Sequence, residues 1–442
     1  MKKLILFIAF IRLVSCTNAQ TSDWLWAKSA GGTTNDEAEN ICTDALGNIY
    51  IAGEFESPFI IFGMDTLYNN DTTGSTSDIF IAKYDANGNN LWAKSAGGIY
   101  YEQNEAIAID KYNNVYITGY FYSKSIIFDN DTLHNVDTTT TYTSKIYFVK
   151  LNPNGNVIWA KCLGDTDYNN SCSLALDKEN NIYMSGGYCS QRFYFGNDTL
   201  NNMGAGYTDI FLLKFDPSGN PLWAKSFGSN NEDWGRSIIT DSTGNIYMTG
   251  NFSGLKFIAG SDTLYQADPS WDYQTSSLFI MKMDTLGNMI WAKCADGDEG
   301  AYPVSIALDK NNNIYVTGSF YSDTLILGKD TLLNAEHSYS NEPDVFTAKY
   351  DKNGNEKWAK QAGGVKMDEG NSLIIDGNNY IFIVGDFVSS FILFGHDTLF
   401  NYDTLGGDDF YIVKYDTSGN VIWAKSAGGN RNDNITCITE DN

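Results

Sequence analysis

The heptad W-A-K-S-A-G-G stands at Trp26–Gly32 and returns unchanged at Trp92–Gly98 and Trp423–Gly429. Close variants begin at Trp159, Trp223, Trp291 and Trp358, so successive tryptophans lie 66, 67, 64, 68, 67 and 65 residues apart. A fixed period of this size dictates a series of equivalent supersecondary units, each unable to bury its apolar face alone. Other positions keep the same register. Each Trp is followed after eighteen residues by Asp (Asp44, Asp110, Asp177, Asp241, Asp309, Asp376, Asp441) and, in six units, after twenty-seven by Gly (Gly53, Gly119, Gly186, Gly250, Gly318, Gly385). A D-T-L triplet begins at Asp65, Asp131, Asp198, Asp262, Asp330 and Asp397, and a Lys precedes each next Trp by nine residues. Length varies only between D-T-L and that Lys.

Within a unit, apolar and polar residues alternate with period two, and β-branched and aromatic residues dominate. Ala106–Asp110, Asn114–Phe121, Asp78–Asp85 and Asn89–Gly98 exemplify four strands, A to D. The A–B and C–D connections read D-x-x-G-N, as in Asp44–Asn48 and Asp85–Asn89. Asp caps a type I turn there and Gly takes the left-handed position. Where Gly is missing after strand A, Asn113, Asn180, Asn312 and Asn379 replace it, and Asn also tolerates positive φ. These turns invite a Ca2+ reading, but one carboxylate per loop is a poor hard-cation site, so capping is favoured.

Four antiparallel strands per period make a blade, and blades set radially make a β-propeller. The heptad then serves as a joint. Its Trp packs between neighbouring blades, its Lys lies along the indole with its head in water, and its glycines free the chain to cross to the next blade. The rival is a repeated tryptophan ligand site, set against the tendency of buried Trp to be core. The stretch DEAENICTDALGNIYIAGEF, continued by DIFIAKYDANGNNLWAKSAGG, resembles the SBBP repeat, the seven-bladed β-propeller repeat of bacterial secreted and surface proteins. The resemblance runs from Trp24 to Asn442. It implies export and a propeller, and it brings no catalytic residues. One departure is an added segment at Ile60–Asn69, read as an extra hairpin turning at Gly. The fold expected is all-β: a propeller of four-stranded antiparallel blades, with six complete units and a split, incomplete seventh. That seventh would own an outer strand from the start of the chain and an inner strand from its end, a truncated seven-blade pattern.

The ends and the composition place the chain. Lys2, Lys3 and the apolar run Leu4–Ile11 read as an export signal over residues 1–20, ahead of a propeller domain over 23–442. Leu13–Cys16 resembles a lipobox, which would lipidate Cys16, and Thr17–Ala19 offers an ordinary cleavage site instead. The location expected is secreted or outer cell surface, with membrane contact only through such an anchor. A net charge of −25 argues against nucleic acid, because phosphate binding needs a basic footprint. Cys42, Cys162, Cys172, Cys189, Cys294 and Cys437 form no CxxC pair and read as small half-buried residues; only Cys162 and Cys172 are close enough in sequence to suspect a bridge.

Strand direction puts the A–B and C–D turns on one face and everything variable on the other: Tyr68–Ser77, His134–Ser144, Asn201–Thr208, Tyr265–Ser277, Leu333–Pro343 and Phe400–Asp408. Binding concentrates on such loops over a rigid scaffold, though tolerated length drift would look the same. Ten residues after the tryptophans come Asp36, Glu102, Asn169, Asp233, Ala301, Asp368 and Asp433, a candidate cation or ligand rim. The local reading is an acid bonding amides at the strand entry. Irregular aromatics (Tyr100, Tyr101, Tyr168, Trp234, Trp271, Tyr273, Tyr302) suggest glycan stacking. His134, His337 and His396 fall at unrelated repeat positions, and no nucleophile–base or metal constellation emerges. The function expected is a non-enzymatic interaction or adhesion scaffold for an extracellular protein or glycan, without cofactor unless Ca2+. The alternative is an enzyme or lectin for extracellular polysaccharide.

Overall fold

A computed structural model describes residues 25–441, apart from 72, 136–142, 166, 205, 267–275, 298–299, 336–341 and 403–405. The expected export signal and Cys16 lie outside the described residues. The first blade sets the pattern. Its strands are β1 (Asp36–Thr43), β2 (Ile49–Phe55), β3 (Phe59–Phe62), β4 (Asp65–Tyr68), β5 (Asp78–Tyr84) and β6 (Asn90–Ala96). β1, β2, β5 and β6 pair antiparallel in that order and correspond to strands A to D.

The turns follow the sequence chemistry. Gly47 and Gly88 have φ of 76°, and Asn113, Asn180, Asn312 and Asn379 take φ of 59–64° where Gly is absent. Asp44 caps its turn by accepting the Leu46 and Asn48 amides at 3.0 and 2.9 Å. The Gly twenty-seven residues after each Trp answers a bulge in the inner strand. Register slips between Ala38 and Asn40, and the Glu37 carbonyl then lies 2.0 Å from where a Cβ on Gly53 would be.

β3 and β4 are the extra hairpin, turning at Gly63 (φ 61°); Asp129 (φ 51°) takes that place in the second unit. The hairpin covers an edge. A second bulge, at Leu91, turns the Ala93 amide outward, and the D-T-L aspartate Asp65 accepts it at 2.9 Å. Asp198, Asp262, Asp330 and Asp397 do the same for Ala224, Ala292, Ala359 and Ala424 at 2.8–3.1 Å. An otherwise unpaired outer strand is thereby blunted. In the fourth blade the outer strand also pairs with a hairpin strand, at Asp296↔Ile326 and Gly297↔Leu325.

The protein is an all-β β-propeller, and the described residues form six four-stranded antiparallel blades. They fall into two compact units, residues 1–166 with 437–442, and residues 167–436. Within each unit the core lies between adjacent blades. Tyr50, Ile79 and Ile81 of the first blade meet Val115, Ile117 and Tyr147 of the second. Tyr183 and Ile210 meet Met248 and Phe279 in the other unit.

The split seventh blade is not formed. Trp26–Gly32 and residues 434–441 carry outer- and inner-strand sequence, yet neither joins a four-stranded sheet. An outer and an inner strand lacking their middle pair would stand about 14 Å apart and could not hydrogen-bond. The two ends are held separately. Ile435 N–H donates to Asp386 at 2.7 Å in the second unit, and Thr43 Oγ1 donates to the Glu440 carbonyl at 2.5 Å in the first.

Candidate functional site

Five of the heptad tryptophans, Trp26, Trp92, Trp223, Trp291 and Trp358, meet a C–D turn glycine of a neighbouring blade. Trp92 packs edge-on against Tyr50 at 6.2 Å, and a Cβ on Gly155 of the next C–D turn would fall 2.9 Å from its ring. Trp223, Trp291 and Trp358 meet Gly287, Gly354 and Gly419 in the same way, and Trp26 meets Gly88. Trp159 packs on Tyr116 and Phe148, and Trp423 on Phe382. All seven are buried or half-buried. Trp92 Nε1 donates to the Pro153 carbonyl, and Trp358 Nε1 to that of Thr417, both at 3.2 Å.

Beneath the Trp92 junction lies a group the sequence reading missed. Asp44 Oδ2 accepts from Asn48 Nδ2 (2.8 Å) and from the Tyr50 hydroxyl (3.1 Å), while Lys83 Nζ lies 3.9 Å away and 4.7 Å above the Tyr50 ring. Lys83 also donates to Pro153 of the next blade. Burial works against ionisation of Asp44, but the bonds from Asn48, Leu46 and Tyr50 hold it below the usual carboxylate range. The readable signal was an aromatic twenty-four residues after each Trp: Tyr50, Tyr116, Tyr183, Tyr247, Tyr315 and Phe382.

The candidate rim acids are buried at chain crossings rather than displayed. Asp36, Glu102, Asp233 and Asp368 are buried, and Asp433 is half-exposed. Each accepts the amide four residues before it, from Gly32, Gly98, Ser229, Gly364 and Gly429, at 2.5–2.9 Å. Ser57 and Ser389 hydroxyls add bonds to Asp36 and Asp368 at 2.7 and 2.8 Å. The same crossings explain the heptad glycines. Gly97 and Gly98 are not left-handed. A Cβ on Gly97 would fall 2.0 Å from the Asp78 carboxylate, and one on Gly98 2.3 Å from the Ser123 hydroxyl. Close approach, not backbone freedom, requires glycine there.

The variable loops leave from fixed bases. Asn69 Nδ2 donates to the carbonyls of Phe55 (2.9 Å) and Thr76 (3.0 Å), tying the strand before the loop to the loop's end. Asn202, Asn334 and Asn401 make the same double tie. The first residue of strand C then accepts a loop amide: Asp78 from Asn70, Asp209 from Met203, Asp344 from Ala335 and Asp409 from Tyr402, at 2.7–2.9 Å. Parts of all six loops lie outside the described residues, as do Trp271, Tyr273 and His337. Around the bases, Tyr68, Ile99, Tyr100 and Tyr101 are exposed in the first unit, and Met203, Tyr207, Phe400 and Tyr402 in the second. Tyr168, Trp234 and Tyr302 are half-buried. His134 and His396 are exposed on outer hairpins, and no disulfide joins the described cysteines.

On the inner strands of the first blade, carboxylate oxygens of Glu37, Glu39 and Glu54 lie within 4.8 Å of one another. Burial, then the charge of Glu37, pushes Glu39 up to about 7; burial and Glu39 push Glu54 well above its ordinary range. Such a group can share a proton or hold a cation. Glu39 is the bulge residue, and no spacing rule in the sequence singled it out.

With this geometry in place, comparison with known proteins bears on the repeat. The model of the SBBP β-propeller repeat matches residues 222–251 and 297–319. Those two stretches are similar to the SBBP repeat. It is 23% identical over 472 residues to an uncharacterized WD repeat-containing protein of Acanthamoeba polyphaga mimivirus, covering 90% of this chain and 34% of that protein. It is 25% identical over 211 residues to the regulatory protein FlaEY of Caulobacter vibrioides, covering 46% of this chain and 20% of that one. The chain thus spans about a third or less of the relatives it matches. Among solved structures, the Synechocystis apocarotenoid oxygenase shows a TM-score of 0.40 at 13% identity, covering 89% of this chain and 80% of that one.

Proposed function

We propose that this SBBP-repeat propeller is a non-enzymatic interaction scaffold that binds an extracellular protein or glycan through the B–C loops and the adjoining D–A connections. The observation that supports this most is the paired tie from Asn69 and its equivalents, which fixes each loop base while the sequence between is free to vary. Exposed aromatics such as Tyr100, Tyr101 and Tyr402 supply contact surface beside those bases. The net charge of −25 favours a neutral or cationic partner. Export by the N-terminal segment belongs to the same reading, and the N-terminal mass of the mature protein tests cleavage and lipidation at Cys16. Binding on protein and glycan arrays, repeated with each loop exchanged for a short Gly/Ser turn, tests the scaffold. Binding indifferent to every exchange defeats it.

The Glu37–Glu39–Glu54 group favours a second reading, an enzyme acting on polysaccharide. A carboxyl raised by burial to a pKa of about 7 within a group of carboxyls is equipped for general acid–base work. Turnover of a polysaccharide substrate that disappears in Glu39→Gln would support that reading over the scaffold.

A further inference from the structure

The unit of residues 167–436 holds four inner strands, Asn169–Leu176, Asp233–Thr240, Ala301–Leu308 and Asp368–Ile375, and each lies beside the next. The second residue of each strand follows its heptad Trp by eleven. In order these residues are Asn170, Trp234, Tyr302 and Glu369. The blade needs no aromatic at this place, since Asn170 serves there buried, accepting the Gly187 amide at 3.2 Å. Trp234 and Tyr302 are only half-buried, so each ring keeps a surface in water. Large rings that the fold neither requires nor covers, set side by side, mark a place for a ligand.

The polar groups around these rings are unspent. The Arg236 guanidinium lies 5.5 Å from the Trp234 ring, and its Nε donates to Asn251 Oδ1 at 3.4 Å. Arg236 is exposed and is the only basic residue of the four inner strands. Among the described residues it makes no ion pair, and Trp234 Nε1 and the Tyr302 and Tyr321 hydroxyls make no hydrogen bond. Tyr321 stands edge-on to Tyr302, with ring centroids 5.5 Å apart. Burial raises the Tyr302 hydroxyl and the nearby Arg236 charge opposes it; burial raises the Tyr321 hydroxyl and the nearby Glu369 charge adds to it. The row thus runs from a donor, Arg236, across three aromatic rings to an acceptor, Glu369.

A sugar matches that order. Its C–H faces lie against aromatic rings, and the hydroxyls around its edge both donate and accept hydrogen bonds. A protein partner fits less well. A stable protein interface buries roughly 800 Å² per partner, whereas half-buried rings along three strands offer a narrow strip. Charge then narrows the sugar. The chain carries −25 and Glu369 closes the row, so a carboxylated or sulfated saccharide is repelled.

We propose that the row of Trp234, Tyr302 and Tyr321, flanked by Arg236 and Glu369, binds a neutral oligosaccharide. The proposal rests on the scaffold reading above and names both the ligand and the strands that take it. Trp234 and Tyr302 carry neighbouring sugar rings. Arg236 donates to hydroxyls at one end of the row, and Glu369 accepts from them at the other. Asn251 is a positioning residue, since its bond to Nε holds the guanidinium beside the Trp234 ring. The Glu37–Glu39–Glu54 group takes no part.

The test puts the full chain on an array of cello-, xylo-, manno-, malto- and chito-oligosaccharides beside oligogalacturonate and oligomannuronate. Titration calorimetry follows with the tightest neutral binder. Trp234→Asn and Tyr302→Asn install the residue of the sister strand, and each should weaken binding at least about tenfold. Arg236→Gln alters an exposed side chain outside the packing and should also weaken it, with the melting temperature unchanged. Binding should hardly change with NaCl, as expected of an uncharged ligand. The proposal falls if no neutral sugar binds, if an acidic one binds more tightly, or if all three variants bind like the parent. Loop exchanges separate this outcome from the scaffold reading. Binding lost in the exchanges but kept in these variants sinks the row and leaves the loops; binding lost in these variants but kept in every exchange does the reverse.

Discussion

The sixth unit contains a natural deletion that can be repaired. In the other five, a tyrosine hydroxyl reaches the capping aspartate's Oδ2 at 3.1–3.4 Å, and an asparagine Nδ2 reaches the same oxygen at 2.7–2.9 Å. In the sixth, Phe382 replaces the tyrosine and Tyr380 the asparagine, and Asp376 Oδ2 is buried without a hydrogen-bond partner. Phe382→Tyr returns one donor. A hydrogen bond to a charged acceptor is worth about 1.5–3 kcal/mol, and the long distances in the sister units argue for the low end, about 1.5 kcal/mol. At about 2.1 cal/mol/K per residue, the unit of residues 167–436 unfolds with an entropy of about 0.6 kcal/mol/K, so the melting temperature should rise by about 2–3 °C. Tyr183→Phe performs the opposite change. Asp177 keeps its bonds from Asn181, so the fall should be smaller, about 1–2 °C. Differential scanning calorimetry reads both. If Phe382→Tyr melts at or below the parent while Tyr183→Phe is neutral, the hydroxyl–carboxylate bond contributes nothing and the reasoning fails. Tyr380→Asn supplies the other donor to the same oxygen, so with Phe382→Tyr it should be less than additive.

Three further outcomes follow from the same contacts. Gly363→Ala puts a Cβ 2.0 Å from Asp344 Oδ1 and should cost about 1–3 kcal/mol in urea unfolding; Asp344→Ser should recover part of that, as Ser277 stands where the heptad reads Asp296, and simple additivity would disprove the shared cause. Burial raises Glu102 and Asp368 to about 8 and Asp209 and Asp344 to about 7. Their folded values lie above the unfolded ones, so the stability they lend is complete below about pH 4 and is lost as pH rises through 7–8; melting temperatures flat or rising from pH 5 to 9 would contradict this, and Glu102→Gln should flatten the fall. Asp198→Ala leaves the outward Ala224 amide unpaired and should lower stability by about 1–2 kcal/mol, with light scattering showing new association at the bared outer edge.

The sequence made the blade legible because its constraints are local. A turn that needs positive φ admits Gly47 or Asn113 and little else, so six repeats write the same rule and the strands between them are bounded. The hairpin at Ile60–Asn69 was readable for the same reason, through Gly63. What the sequence concealed was contact between positions far apart in the unit. Asp65 was visible as a repeated letter, but its acceptance of the Ala93 amide depends on a bulge at Leu91 that no period reveals. The seventh blade was overcounted because strand sequence at Trp26–Gly32 and at 434–441 says nothing about whether a middle pair exists to receive it. The acids at the strand entries were visible as a row, yet a row of like letters reads equally as a displayed rim or as buried bonds, and only burial separates the two.

Repeats supply a remedy, because each unit is a variant of the others measured in the same molecule. Phe382 and Tyr380 depart together, and the oxygen that both would have served is left bare. Ser277 departs from aspartate where the heptad glycine becomes Asp296. Substitutions that travel together across units mark groups that share one small space, since a change in one partner alone would leave a clash, a bare charge or an empty bond. Read this way, a single chain identifies which of its repeated letters answer to each other, as Tyr380 and Phe382 do at the Asp376 carboxylate.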